Sequence, residues 1–407
     1  MSTYLRLLAA FAAILTAALA GFNAFINPYG HFDFPKVSGV NQSALGFNHR
    51  LQLAKALAVS RIRPASIILG NSRAEAGYDP QHPGFAERPA YNLAVGGSGL
   101  GPVRRLFLEA LAAGGLRHAV LALDLTMFEP AAQEAGLDAV LLTDASGNLA
   151  AGGRQWRRLA FILLSGTATS DSWWSLTHQG KAVAIYQPSG LREEAYDIDQ
   201  VRREGGARRA SLRVESSFLT GTLRDVASAD FRASYAATLA QLQEIIALAA
   251  ERNVRLTLII NPIHARQSYV LEAAGLWSVY EMWKRDITNT AARSSRRDLI
   301  ALWDFSGISP CTAEPMPADA DIASNMRWYR ESSHFRRVLG DRVFDRVFAR
   351  ADDGACPGLG LQLSPATLDA TLAEQRAALA HWKTSHPADV AEIDELARRY
   401  GRVRTGQ

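Results

Sequence analysis

Cysteine is almost missing from this chain: there are two in 407 residues, Cys311 and Cys356. Neither stands in a Cys-x-x-Cys spacing, so no thiolate metal centre is spelled out, and no metal is expected. Joined in an oxidising compartment, they would close a loop of about 45 residues, worth roughly 4 kcal/mol in the chain-entropy treatment. The plain alternative is two unrelated thiols. A long basic run is also missing. The 44 Lys and Arg are scattered against 40 Asp and Glu, for a net charge of +4. The densest spots, "GGRQWRR" and "REGGARR", read as solvated faces or loops ahead of any contact with an anionic surface. No nucleic-acid motif stands beside them, so nucleic acid is not an expected partner. Internal repeats are absent, and long apolar runs are absent with one exception.

That exception is residues 7–26, "LLAAFAAILTAALAGFNAFI", which carry no charge and follow Arg6. The run is long enough to cross a bilayer as a helix. "ALA" at 18–20 fits a signal-peptidase site, but the apolar run continues through Phe22, Phe25 and Ile26. The favoured reading is an uncleaved signal anchor over 1–27 with its amino terminus inside. The expected location is the inner (cytoplasmic) membrane, single-pass, with the body in the periplasm or another extracytoplasmic space. The bilayer is then a partner.

Beyond the anchor, apolar strands alternate with helical patterns. "ASIILG", "AYNLAV", "HAVLALDLTMF", "VRLTLIIN" and "DLIALWDF" are five strand candidates, read as continuous apolar runs rather than in-out alternation. That is the mark of a parallel sheet covered on both faces. The expected fold is α/β: a doubly wound, mainly parallel five-stranded sheet of flavodoxin-like type, with an inserted cap and the N-terminal transmembrane helix. The expected segments are 28–130 and 230–352 for the two parts of the α/β domain, 131–229 for the cap and 353–407 for a helical tail. Within the cap, Trp173 and Trp174 either pack it onto the body or line a groove for a sugar.

A parallel sheet carries its sites at the carboxyl ends of its strands, and polar groups cluster there. The first strand ends in Gly70-Asn71-Ser72-Arg73, the second in Gly96-Gly97-Ser98, the third in Asp124 and the fourth in Asn261-Pro262-Ile263-His264. Later comes "WYRESSHFRRVLG", with Glu331 three residues before His334. A serine hydroxyl needs a base within hydrogen-bond reach, and the base needs a carboxylate to hold its tautomer. Glu331 and His334 can supply that pair from one loop. The oxyanion needs preorganised N–H donors, and Gly96 and Gly97 let the backbone approach closely. Taken singly, each residue has a structural reading: Ser72 as a turn or cap residue, His334 as a helix cap, Asp124 as a satisfied strand-end carboxylate, His264 as a loop residue. Taken jointly, the catalytic reading leads.

The pieces "LGNSR", "YNLAVGGSG" and "ESSHFRRVLG", in this order, resemble the SGNH (GDSL-type) hydrolase superfamily over roughly residues 50–350. Within it, they look most like the membrane-anchored extracytoplasmic branch that includes the alginate O-acetylation proteins and the D-alanine transfer protein of teichoic acid synthesis. The resemblance implies a nucleophile at Ser72, a base at His334 and an acid at Glu331. It implies oxyanion donors at the N–H groups of Ser72 and of Gly96 or Gly97. The family's Gly-x-Asn-Asp block has no counterpart in "LALDLTMF", which leaves either Asn71, Asn92 or Asn261 as substitutes or a weaker oxyanion hole. Arg73, Asp124 and Asn92 are the expected structural supports.

The expected function is therefore a serine esterase or O-acyltransferase acting on an envelope polysaccharide or a small acyl ester, without a cofactor. A membrane-bound acyltransferase is a further candidate partner. A rival class is a non-catalytic scaffold or glycan-binding component of a polysaccharide assembly. A dinucleotide fingerprint is disfavoured: in "GGSGLGP" the third glycine position falls on Pro102.

Overall fold

The computed structural model describes residues 3–129, 137–144, 154–351 and 353–400. The ends of the expected anchor and tail (1–2 and 401–407) and residues 130–136 and 145–153, which fall mainly in the expected cap, lie outside the described residues. The chain divides into two compact units. The first comprises Met1–Pro64, Arg105–Gly115 and Gln133–Pro188; the second comprises Ala65–Arg104, Leu116–Ala132 and Ser189–Gln407. The segment read as one cap is thus shared out: 133–188 belongs with the N-terminal residues, and 189–229 with the sheet.

The first unit is helical. Its helix Thr3–Ile26 is, among the described residues, the one helix long and apolar enough to cross a membrane, with a mean hydropathy of 2.0. Residues 3–18 are exposed, and the far end of the helix is tied down. Asn23, fully buried, donates through Nδ2 to the Leu163 carbonyl (2.8 Å) and to Thr169 Oγ1 (3.0 Å). Tyr29 donates to Asp171 (2.7 Å). Trp174 packs on His49 and stacks on His178, so it serves packing, while Trp173 is exposed.

The second unit is built on a sheet with strand order β2-β1-β3-β4-β5-β6. The strands are β1 (Ser66–Leu69), β2 (Ala90–Asn92), β3 (His118–Leu123), β4 (Arg255–Ile260), β5 (Ile300–Asp304) and β6 (Leu361–Gln362). The first five are parallel and fall in the five apolar runs. Every residue of β1 and β3 is buried, as the unbroken Ile, Val and Leu content requires of strands covered on both faces. The sheet has six strands rather than five. β6 pairs antiparallel with β5 through Trp303↔Gln362 and Asp304↔Leu361. It is two residues long, too short to leave a periodic signal, and it lies in the segment read as a helical tail. That segment otherwise supplies the helices Leu368–Ser385 and Pro387–Tyr400. A disulfide joins Cys311 to Cys356.

The chain leaves β1 in one direction to form β2 and returns on the other side to form β3. The order therefore reverses between β1 and β3, where doubly wound sheets open a crevice at their carboxyl ends. Ser72 follows β1 and Asp124 follows β3.

Candidate active site

β1 gives way to Gly70, whose φ of +149° suits glycine. A Cβ there would lie 2.8 Å from Ala74 Cβ and 3.1 Å from Ala122 Cβ, so the turn also needs the missing side chain. Asn71 caps the helix Ser72–Gly77, its Oδ1 accepting from the Arg73 N–H (3.1 Å). Ser72 is the first helical residue, where a backbone N–H has no partner within the helix.

The other half of the site comes from the loop before the helix Arg337–Val347. Tyr329 bridges Phe335, and the Arg330 N–H donates to the His334 carbonyl (3.1 Å), which folds the loop tightly. It brings His334 Nε2 to 2.9 Å from Ser72 Oγ. Nδ1 of the same ring is hydrogen-bonded to Glu331 Oε1. Glu331 also accepts from the backbone N–H groups of Ser333 (2.7 Å) and His334 (3.1 Å). With Nδ1–H donated to the carboxylate, Nε2 is the acceptor that faces the serine hydroxyl.

The electrostatics suit a base. Burial pushes the His334 pKa below its ordinary value, and Arg330 pushes the same way, against the pull of Glu331. The ring is neutral at neutral pH. Burial pushes Glu331 up, but His334, Arg330 and the Ser333 N–H outweigh it and hold the carboxyl below its ordinary value. Arg330 is itself paired with Asp197.

Asp124 holds the support. It accepts from Asn71 Nδ2 (2.9 Å), from Asn261 Nδ2 (2.8 Å) and from Arg73 Nη1. Arg73 then reaches across to the histidine loop, donating to the Ser333 carbonyl (2.8 Å) and to Ser333 Oγ (3.1 Å). Asp124 thus gathers three side chains around the end of β3, and Arg73 links the two halves of the site. The asparagines take different places from those of the substitute oxyanion donors. Asn92 gives its amide hydrogens to the Ala74 and Tyr78 carbonyls (2.9 and 2.8 Å). Asn261 is held between Asp124 and the Tyr78 hydroxyl. Neither lines the pocket beside Ser72; Asn71 does, with its amide nitrogen engaged by Asp124. Buried amides are drawn to buried acceptors, and a carboxylate at the end of β3 is the strongest one near them.

That pocket measures about 200 Å³ and is lined by Ser72, Gly97, Ser98, Thr126, Glu129 and His334 with neighbouring residues. Gly96 stands behind it. A Cβ on Gly96 would come 3.0 Å from Glu75 Oε2 and 3.6 Å from Ser72 Cβ, so the bare glycine backbone passes close to the nucleophile and a side chain there would press on the Glu75 carboxylate. Gly97 has a φ of +72°. Two lining groups have no role in the sequence reading, although Ser98 stands there among the strand-end polar groups. The Ser98 hydroxyl is buried with no hydrogen-bond partner among the described residues. Burial, then Asp225, push the Glu129 pKa up to about 7. Ser98 stands openly in "GGSG", flanked by glycines whose bare backbone is the stronger sequence mark. Glu129 follows a 3-10 turn, Leu125–Phe128, that leaves no periodic mark.

A second pocket, about 270 Å³, opens on the Glu331 side of His334 among Arg192, Tyr196, Asp197, Gln200 and Arg213. His264 is a structural cap. Its Nδ1 accepts from the Arg266 N–H (3.2 Å), and its Nε2 meets the Glu314 carbonyl (2.8 Å). Among the described residues, no group of three or more His, Cys, Asp or Glu is arranged to hold a metal ion.

The Ser–His–Glu chain can activate a hydroxyl for attack on a carbonyl, with N–H groups nearby for the oxyanion. No protein-family model matches the chain, and no curated protein matches it in sequence.

Proposed function

We propose that this chain is a membrane-anchored, extracytoplasmic serine acyl-ester enzyme of SGNH type. The observation that carries the proposal is the hydrogen-bond chain from Ser72 Oγ to His334 Nε2 (2.9 Å) and from His334 Nδ1 to Glu331. In the forward step, Ser72 Oγ attacks the ester carbonyl carbon while His334 takes the hydroxyl proton. Glu331 stabilises the imidazolium that forms. The tetrahedral intermediate collapses, His334 returns the proton to the leaving alkoxide, and an acyl-Ser72 remains. Water or a glycan hydroxyl then attacks, with His334 again as base.

Acyl transfer to an envelope polysaccharide is favoured over hydrolysis by the apolar helix Thr3–Ile26, which would hold the enzyme at the membrane where such polymers are assembled. The second pocket offers Tyr196, Gln200 and charged pairs, side chains suited to hydroxyl-rich ligands. A membrane-bound acyltransferase is the proposed acyl source. The Cys311–Cys356 disulfide favours an oxidising compartment, and Arg6 ahead of the apolar run favours an inside amino terminus.

The test is labelling of the full chain with a fluorophosphonate, alongside turnover of an aryl acetate. Wild type is expected to label and turn over, and Ser72→Ala to do neither. A wild-type protein that does neither is instead the rival non-catalytic scaffold.

A further inference from the structure

Resting on that reading, we infer that the Ser98 hydroxyl is a side-chain oxyanion donor, acting with the backbone N–H groups of Ser72 and the Gly96-Gly97 turn. The asparagines that would otherwise give a side-chain donor are turned to Asp124, or to the carbonyls of Ala74 and Tyr78. Ser98 is 4% exposed, lines the same pocket as Ser72 and His334, and its Oγ has no partner among the described residues. Its own backbone N–H is spent on the Val95 carbonyl (3.2 Å), so only the side chain remains to act.

A buried hydroxyl without a partner costs free energy in the resting protein. Here that cost leaves the O–H uncommitted, able to turn toward a charge that exists only during reaction. When Ser72 Oγ bonds to the carbonyl carbon, the C=O π pair moves onto oxygen. The Ser98 O–H then donates to that oxygen and keeps its own proton. When the intermediate collapses, the pair returns to the carbonyl and the leaving alkoxide departs with the proton from His334. Because the donor meets full negative charge only in the tetrahedral state, its loss must fall on kcat rather than on substrate binding.

The experiment compares Ser98→Ala and Ser98→Thr with wild type and Ser72→Ala, in the full chain in detergent, using an aryl acetate and a fluorophosphonate. Ser98→Ala is expected to lower kcat by ~10²-fold, with KM within about twofold, and to slow fluorophosphonate labelling in parallel. Ser98→Thr keeps a hydroxyl and is expected to recover most of the rate. An unchanged melting temperature in Ser98→Ala separates this loss from misfolding. The inference is overturned if Ser98→Ala keeps its kcat within about twofold while Ser72→Ala is dead. It is also overturned if Ser98→Ala raises KM alone, or if Ser98→Thr falls as far as alanine with its fold intact. If wild type itself neither labels nor turns over, the esterase reading falls and takes this inference with it.

Discussion

Gly340 packs against the carbonyl oxygen of Gly77: a Cβ on Gly340 would fall 1.8 Å from it. A Cβ on Gly77 would likewise fall 2.0 Å from Phe335 Cε2. The helix that starts with Ser72 and the helix that follows His334 therefore touch backbone to backbone. This closeness, together with the Arg73 link, bears on how near the serine and the imidazole come. We expect Gly340→Ala to force the helices apart. The stability loss should be about 1–3 kcal/mol, and the rate loss on the order of 10²-fold if the shift approaches 1 Å. Thermal unfolding and aryl acetate turnover measure the two, and a wild-type rate would show that the contact does not set the distance.

Arg73 should resist replacement even by lysine. Its guanidinium bonds Asp124 on one side and both the carbonyl and hydroxyl of Ser333 on the other. Arg73 and Asp124 are almost fully buried, so Arg73→Ala leaves a buried carboxylate short of its cation. The expected loss is about 3–5 kcal/mol in a denaturant titration. Arg73→Lys keeps the charge but cannot fork between the two partners, and it should recover less than half of the lost activity.

The acid limb of the pH–rate profile reports His334. Burial and then Arg330 hold its pKa below 6.5, so the ring stays neutral, and able to act as base, down to a pH below that value. Arg330→Gln removes one lowering influence, while Asp197 keeps its bond from Arg192 (2.8 Å). The change raises the His334 pKa. The acid limb of kcat/KM should therefore move to higher pH, with less activity remaining at pH 6. A limb that stays put, or moves down, would refute this electrostatic account.

Glu129 gives a stability signature of opposite sign to that of a salt-bridged acid. Its pKa is about 7 in the folded protein, against 4.5 for an ordinary glutamate. Between those values the native state binds the extra proton, so stability falls as pH rises through this window. Glu129→Gln removes that slope. The variant should gain on wild type from pH 5 to pH 8 when melting temperatures are compared across the range. Parallel pH profiles would overturn the assignment.

The parallel strands were readable because their signal is local: an unbroken run such as "HAVLAL" has no amphipathic helix to compete with it. Ser72, Glu331 and His334 were readable because each stands next to a local mark, a strand end or an i, i+3 spacing. β6 was not, since two residues carry no period. The roles of the asparagines were not legible either. Asn71, Asn92 and Asn261 look alike in sequence, and only the fold shows which carbonyl or carboxylate each meets. Ser98 Oγ and Glu129 Oε1 stand out because neither has a hydrogen-bond partner among the described residues, and a sequence does not write down an absent hydrogen bond.

Ser72 and His334 lie 262 residues apart in the chain. At about 5–20 residues per second, the ribosome makes the histidine roughly 10–50 s after the serine. Through that interval the serine is an ordinary alcohol, and the β1–β3 edge of the sheet waits for its last strands and the glycine-packed helix. The site is thus assembled only on completion of the fold, late in synthesis. A chain cut short anywhere before residue 334 would lack the imidazole that Ser72 meets.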